Sequence, residues 1–486
     1  MIEIKEYDET YIRIECDKGI ALELKEAFSF FVPGYVHMPA YKNTPWDGKI
    51  YLFNVNSQTI YKGLLKYIYE FMEVRDYEYQ VDESLTETIE FSLFEAGKEC
   101  QKLNLPFDPY EYQIEAVCHA IRNKRALFLS PTSSGKSLII YLLARFYEDH
   151  KILIVVPTTQ LVKQMQSDFL QYSENQFDDV LGITGKTDKE WQRKITNRVT
   201  VSTWQSLHKM PKSFFRQFDV VMGDEAHQYK AKSLSAILEK MTHCEYRFGF
   251  TGTIDDSQTH KLVLEGLFGP IYRTVTTKEL MDDGKVAELK IKILNLKYNL
   301  DTRKGMARAA FQDEMNFIIS NISRNKFIKN LTLSLKGNTL LLFQRVESHG
   351  EILHKLIEKD AQGRKVFFVS GKTDEDTREN VRRIVENETN AIIVASYGVF
   401  STGVSIKAIH NVIFASPSKS RIRNLQSIGR GLRINETKTK CTLYDICDDL
   451  KYKTWTNHTL RHMAHRFKIY SEEKFKCKIY NIKLER

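Results

Sequence analysis

Short, continuous apolar runs recur along the chain, separated by helix-compatible stretches. Ala126–Leu129, Ile152–Val156, Val220–Met222, Thr339–Phe343, Val366–Val369 and Ala391–Ala395 are such runs, several of them rich in β-branched residues, and Val199–Thr203 repeats the pattern with hydroxyls. A run without polar alternation is the mark of a strand covered on both faces, and such strands alternating with helices build parallel sheets. The pattern therefore predicts an α/β fold with two open parallel sheets, joined by a crossover over residues 255–335. Residues 1–32 differ. Alternation at Tyr11-Ile12-Arg13-Ile14 and a helical pattern around Leu22, Leu24, Ala27 and Phe28 predict a small α+β module. An acidic run over residues 76–99 marks its boundary, giving a module at 1–100, an α/β domain at 101–300, a second at 301–450 and a basic tail at 451–486.

Charge sharpens this division. The net charge of +9 conceals a front of ten Lys/Arg against nineteen Asp/Glu in residues 1–100, so the remainder carries +18. A basic body suits a polyanionic partner, because each neutralised phosphate releases counterions. The tail holds ten Lys/Arg against three acids, and reads equally as a basic helix beside nucleic acid or as a solvated terminal helix. The seven cysteines have no CxxC or zinc-like spacing. No apolar run reaches the roughly 18 residues of a membrane span, and the start MIEIKEYDET lacks signal-peptide character, so a cytoplasmic protein is expected.

Chemistry concentrates at the ends of the apolar runs. SPTSSGKS at 130–137 stands between a strand-like and a helix-like run, where unpaired backbone N–H groups and the helix dipole can cradle phosphates. Thr132, Ser133, Ser134 and Gly135 would supply the cradle, Lys136 would reach the β- and γ-phosphates, and the Ser137 hydroxyl would hold Mg²⁺. Ser130 replaces the usual first glycine of such a loop. Gln113 lies 23 residues ahead of Lys136, with Phe107 and Tyr110 nearby; an amide can read an adenine edge and a ring can stack on the base. DEAH at 224–227 follows another apolar run. Asp224 is a candidate Mg²⁺ ligand, Glu225 the base that orients and deprotonates water, and His227 a hydrogen-bonding link from the nucleotide to the other domain. Thr251, Gly252 and Thr253 form a further candidate coupling stretch.

Hydroxyls and small polar groups follow several predicted strands and suit a sugar-phosphate backbone. They are Pro157, Thr158 and Thr159, then Thr203 and Trp204, Gln344 and Arg345, Ser370 and Gly371, and Ser401 and Thr402. For either threonine of the first group, helix N-capping is an equal alternative. In QSIGRGLR, Arg430 and Arg433 could both face a γ-phosphate as arginine fingers, with Gln426 as a coupling residue. Gly403 is a further nucleotide-site candidate. In the front module, Lys42, Lys49, Lys62 and Lys66 interleave with Tyr35, Tyr41, Trp46, Tyr51, Phe53 and Tyr61. That mixture is either a nucleic-acid surface, with Trp46 and Lys49 at a hairpin tip, or the core of a small domain.

Taken together and in this order, Gln113, SPTSSGKS, PTTQL, STWQSL, DEAH, TGT, ASYGVFSTGVS and QSIGRGLR resemble superfamily 2 helicases over roughly residues 105–445. TPWDGKIYLF, VTTKELMDDGKVAELKI and VASYGVFSTGVSI are most similar to the UvsW-type helicases of tailed phages. Ser405, after Gly403, departs from the aspartate of many superfamily members. The resemblance implies two tandem RecA-like domains behind the module, with ATP and Mg²⁺ between them. It implies an enzyme of recombination and fork repair acting, as a monomer, on branched DNA, single-stranded DNA and RNA–DNA hybrids, in the host cytoplasm if phage-encoded. A duplex translocase that separates no strands, and a nucleotide-gated clamp, are the alternatives.

Overall fold

The structure, a computed structural model, describes residues 2–32, 34–184, 195–228, 231–254, 258–402, 406–417, 420, 428–429, 432 and 438–484. The chain divides into two compact units, one of Met1–Ser130 with Gly135–Val275 and one of Thr276–Arg486 with Pro131–Ser134. The front module contains β1 (Ile2–Glu6), β2 (Tyr11–Glu15), β3 (Ser29–Phe31), β4 (Lys49–Tyr51), β5 (Thr59–Tyr61) and β6 (Tyr79–Val81). A mixed sheet runs β5-β2-β1-β6, while β3 and β4 pair separately. The alternation read in the sequence is the cause: Ile12 and Ile14 point inward from β2, and Tyr11 and Arg13 do not.

The rest of the first unit is a parallel sheet of β7 (Arg125–Leu129), β8 (Ile152–Val156), β9 (Val180–Ile183), β10 (Val199–Thr203), β11 (Val220–Gly223), β12 (Tyr246–Thr251) and β13 (Ile271–Arg273), in the order β13-β7-β12-β11-β8-β10-β9. Every residue of β8 and β10 is buried: β8 is an unbroken apolar run, as a strand between helical layers requires, and β10 buries Thr200, Ser202 and Thr203 along with its two valines. Phe268 lies flat against this sheet. A Cβ at Gly223 or at Gly249 would sit 2.7 Å from its ring, so only glycine lets the helix Gln258–Phe268 approach so closely.

The module shares its core with this sheet. One apolar cluster runs from Ile4, Ile14 and Met72 to Leu153, Leu264 and Phe268. Polar ties reinforce it. Arg247 is wholly buried and donates to Thr10 Oγ1 at 2.8 Å and to the Met241 carbonyl at 2.6 Å. Arg125 pairs with Glu9 at 2.6 Å, and the Tyr67 hydroxyl donates to Glu265 at 2.8 Å. The expected boundary at residue 100 falls inside the helix Leu93–Lys102, whose Ala96 and Cys100 are buried. The acidity of residues 76–99 reflects solvent exposure there and not a break in packing.

The second unit is a parallel sheet of β14 (Glu288–Lys297), β15 (Thr339–Phe343), β16 (Val366–Val369), β17 (Ile392–Ser396), β18 (Asn411–Phe414), β19 (Lys440–Asp449) and β20 (Lys476–Lys483), ordered β16-β17-β15-β18-β19-β14-β20. Both large sheets are thus parallel α/β sheets with crossover helices, the tandem architecture expected. The expected boundary at residue 300 moves forward, because β14 pairs with β19 over its whole length. Nor is 451–486 a free tail. The helix His458–Glu472 buries Arg466, which donates to Asp445 from Nε at 2.8 Å and from Nη2 at 2.7 Å, and β20 closes the sheet. Replacing Arg466 by Met leaves the buried Asp445 carboxylate, among the described residues, with the Tyr470 hydroxyl as its side-chain donor, and is expected to cost about 3–5 kcal/mol in urea unfolding. A loss under about 1 kcal/mol, the scale of an exposed pair, would make the helix an appendage. Among the described residues, no helix is long and apolar enough to cross a membrane.

Candidate nucleotide site and nucleic-acid surface

The carboxyl ends of β7, β8, β10, β11 and β12 carry, in turn, the phosphate loop, the 157–159 stretch, Thr203-Trp204, Asp224-Glu225 and Thr251–Thr253. Parallel strands put all these stretches along one edge of the sheet, where ligands of open α/β sheets bind. After β7 the chain turns through Ser133 (φ 73°) and Gly135 (φ 76°), and the helix Lys136–Phe146 begins. The left-handed conformation at Gly135 is only part of its requirement. A Cβ there would lie 2.4 Å from Gln113 Nε2, so the expected adenine-reading glutamine packs directly over the loop. Gln113 is buried, and its Oε1 accepts from the Tyr110 backbone N–H at 2.9 Å, fixing the amide. Phe107 and Tyr110 are exposed.

The departure at Ser130 has a local explanation. Its side chain is buried and accepts from the Thr274 hydroxyl at 2.9 Å, so it closes the end of β7 and stays out of the phosphate cradle. Ser134 Oγ donates to the Pro131 carbonyl at 2.7 Å, bracing the loop. Lys136 Nζ donates to the Ser130 carbonyl at 3.3 Å and lies 3.9 Å from Glu225 Oε1. The loop and the DEAH stretch thus meet around the lysine. Glu225 holds a left-handed backbone (φ 49°), a strained conformation for a glutamate that directs its carboxylate toward Lys136. Its N–H donates to Asp224 Oδ1 at 2.8 Å.

Burial first, and then the Glu225 charge, raise the Asp224 carboxyl well above the usual carboxylate range. Crowded acids beside a phosphate loop make a site that a divalent cation would relieve, and the hard oxygen donors of Asp224 and Ser137 fit Mg²⁺. Ser137 Oγ lies 2.8 Å from the Tyr172 hydroxyl, and Phe107 meets the Tyr172 ring edge to face at 5.8 Å. Tyr172, at the end of the helix Thr159–Tyr172, thus connects the expected base platform to the expected metal ligand. No motif in the sequence pointed to it. His227 is buried, with Nδ1 2.7 Å from Thr251 Oγ1 and 3.5 Å from Glu225 Oε2. The Thr251 hydroxyl donates on to the Thr253 carbonyl at 2.6 Å. His227 therefore joins DEAH to the Thr251–Thr253 stretch within the first unit.

Among the expected nucleic-acid contacts, Thr158 is the N-cap of its helix, accepting from the Leu161 N–H at 3.3 Å, while Thr159 is exposed. Pro157 and Thr203 are buried, with Thr203 Oγ1 3.0 Å from Ser206 Oγ, and Trp204 is half-buried. In the second unit, Gln344 and Gly371 are exposed, Arg345 donates to Asn316 Oδ1 at 2.7 Å, and Ser370 is buried, its backbone N–H donating to the Thr373 hydroxyl oxygen at 3.0 Å. Ser401 and Thr402 lie in the helix Tyr397–Thr402. Gly403, Ser405, Gln426, Arg430 and Arg433 lie outside the described residues.

The hairpin residues Trp46 and Lys49 are half-buried and bonded within the module. Trp46 Nε1 donates to the Lys49 carbonyl at 2.7 Å, and Lys49 Nζ pairs with Glu26 at 2.8 Å. The rings left to solvent are their neighbours: Phe31, 53% exposed and stacked on Tyr35 at 4.8 Å, and Tyr41, 39% exposed and edge-on to Tyr35 at 4.9 Å.

Three family descriptions match the chain: "DNA helicase UvsW, N-terminal" over residues 1–82, "Type III restriction enzyme, res subunit" over 106–256, and "Helicase conserved C-terminal domain" over 323–435. The ATP-dependent DNA helicase UvsW of Enterobacteria phage T4 is 36% identical over 495 aligned residues, covering 98% of each chain. The chain belongs to the UvsW helicase family. The crystal structure of T4 UvsW covers the whole of both chains at 34% identity, with a TM-score of 0.54. A fragment of a putative HsdR subunit of a type I restriction enzyme from Vibrio vulnificus covers 80% of this chain and 72% of its own, at 16% identity and a TM-score of 0.58, a likeness of fold alone. As a UvsW-family helicase, the chain matches T4 UvsW from the front module through the second sheet, so the module belongs to the family likeness as much as the two large sheets do.

Proposed function

We propose that this helicase uses ATP hydrolysis to move branch points in DNA, at forks, four-way junctions and R-loops. The convergence of Gln113, Gly135, Lys136 and Glu225 at the carboxyl ends of β7 and β11 carries the reading. Thr132, Ser133, Ser134 and Gly135 cradle the triphosphate, Phe107 and Tyr110 hold the base, and Lys136 draws charge from the β- and γ-phosphates. Ser137 and Asp224 hold Mg²⁺, which when bound supplies charge neutralisation at those phosphates. Glu225 orients the attacking water and takes its proton. His227, through Thr251, ties the state of that carboxylate to the 251–253 stretch. Arg430 and Arg433 are assigned as fingers on sequence grounds.

The strand-end residues Thr159, Trp204, Gln344 and Gly371 offer polar contact to a single strand. Phe31, Tyr41 and Lys42 of the front module offer rings and charge to bases unstacked at a branch point. The chain acts as a monomer, on DNA and on RNA–DNA hybrids, in the cytoplasm of the host cell.

Phe31→Ala with Tyr41→Ala tests the module. Loss of one stacked base costs about 1–3 kcal/mol, so affinity for a forked substrate is expected to fall roughly ten-fold with single-strand affinity and melting temperature unchanged. Equal loss on both substrates would remove branch recognition from the module. The match of residues 106–256 to a restriction-enzyme motor favours a second reading, a duplex translocase that separates no strands. Strand-displacement assays on forked, four-way, R-loop and linear substrates side by side separate the two readings.

A further inference from the structure

At the far edge of the second sheet, lysines face lysines. In the register of β14 against β20, Lys290 pairs with Lys476, Lys292 with Lys478 and Lys297 with Lys483. Like charges directly opposite destabilise a sheet, so their repetition calls for a cause. Lysines on an edge strand guard it against edge-to-edge pairing, and β20 is such a strand. That accounts for one row only. β14 is an inner strand with both neighbours in place, and the row it adds does nothing for the edge.

The first two pairs share one face of the sheet. Leu289, Ile291 and Ile293 point into the core, so Glu288, Lys290 and Lys292 point away from it. Lys440 on β19 stands opposite Glu288 on that same face. Five lysines (290, 292, 440, 476 and 478) thus share one carboxylate in these rows, with Glu288 4.0 Å from Lys440 and 3.9 Å from Lys476. Lys292 and Lys478 are held over the rings of Tyr444 and Tyr480, each at 5.3 Å. Further along the strands the face is closed, where Leu294, Leu296 and Ile446 join the core with Ile318 and Ile328. The open part lies at the amino ends of β14, β19 and β20, the opposite end of this sheet from Gln344 and Gly371, which follow the carboxyl ends of β15 and β16.

We infer that this lysine ladder is a second nucleic-acid site, one that holds the sugar-phosphate backbone of a duplex arm of the substrate. The inference rests on the reading of the chain as a branch-moving helicase, whose substrates have arms beyond the strand in the motor. Two rows of cations, spaced about 6.6 Å along each strand and about 4.8 Å between strands, suit a repeating polyanion. They offer no hydrogen-bonding pattern that would read bases, so the contact is independent of sequence.

The test is equilibrium binding of the full chain, without ATP, to a four-way junction and to a single strand over a range of salt. Each lost phosphate contact lowers the slope of log K against log salt by about 0.9. The triple variant Lys290→Gln, Lys476→Gln, Lys478→Gln is expected to lower the junction slope by about two to three units and junction affinity at least ten-fold. Single-strand binding and single-strand-stimulated ATPase should stay as in the unsubstituted chain. The corresponding triple Lys→Arg variant should keep the slope, and the melting temperature of the Gln variant should hold or rise as like-charge repulsion is removed. An unchanged junction slope overturns the inference. So does loss of poly-glutamate binding with junction binding intact, which would make the face a site for an acidic protein. Because these measurements use no ATP, their outcome is separate from whether the enzyme moves branches.

Discussion

Glu225→Gln is expected to abolish ATP turnover while leaving DNA affinity within about two-fold. A positioned general base contributes roughly 10²- to 10⁴-fold, and the amide keeps the size of the acid and one acceptor oxygen but cannot take a proton. Here the carboxylate lies 3.9 Å from Lys136 and is held by a strained backbone (φ 49°), so no other acid readily takes its place. Lys136→Ala should lose turnover to a similar extent, because it removes the cation that stabilises charge on the transferred phosphoryl. Steady-state ATPase with saturating single strand, read beside fluorescence binding of the same strand, checks both. Near-normal turnover in either variant would place the nucleotide elsewhere. Parallel loss of DNA binding would mean that the two substitutions disturb the sheet edge as a whole.

Removing residues 1–82 is expected to cost the first unit its fold and not merely its substrate preference. The helix Gln258–Phe268 packs on the turn Lys62–Leu64 and on β3 and β5, and Gly63 comes so close that a Cβ there would lie 2.1 Å from the Glu265 carbonyl. Deletion would uncover Val263, Leu264 and Leu267 together with their neighbours in the shared core. Each fully buried aliphatic side chain contributes about 1.5–3 kcal/mol, so exposing several removes most of the roughly 5–15 kcal/mol that holds a domain together. Arg247 would also lose Thr10 as an acceptor while its guanidinium stayed in the core. Soluble yield and a melting curve of the shortened chain decide the matter. A cooperative transition at the full-length temperature would show that the module is a separable attachment.

The parallel sheets were legible where their strands are unbroken apolar runs, as β8 and β16 are, whereas β14 and β20 alternate polar and apolar positions; the candidate nucleotide site was legible as local motifs at strand ends. Ser130 was visible as a departure, but its bond to Thr274 depends on β13 lying beside β7, which no run of letters announces. Tyr172 escaped for the same reason: thirty-five residues separate it from Ser137. Charge misled in two places. The acidic front and the basic tail suggested separate pieces, whereas Arg247 and Arg466 are buried cations that fasten each piece to its sheet. At the hairpin, Trp46 and Lys49 had the right chemistry for a nucleic-acid contact. Their partners are the Lys49 carbonyl and Glu26, and Phe31 and Tyr41 are the more exposed rings beside them.

The most direct measurement is the fate of a mobile four-way junction built from four differently labelled strands, incubated with the enzyme and followed on a native gel. A branch-moving helicase converts the junction into two forked duplexes, only with ATP, and not when Glu225 is Gln. If ATP is consumed at a DNA-stimulated rate while the junction stays whole, the motor translocates without moving branches, and branch migration is contradicted as the activity of this chain.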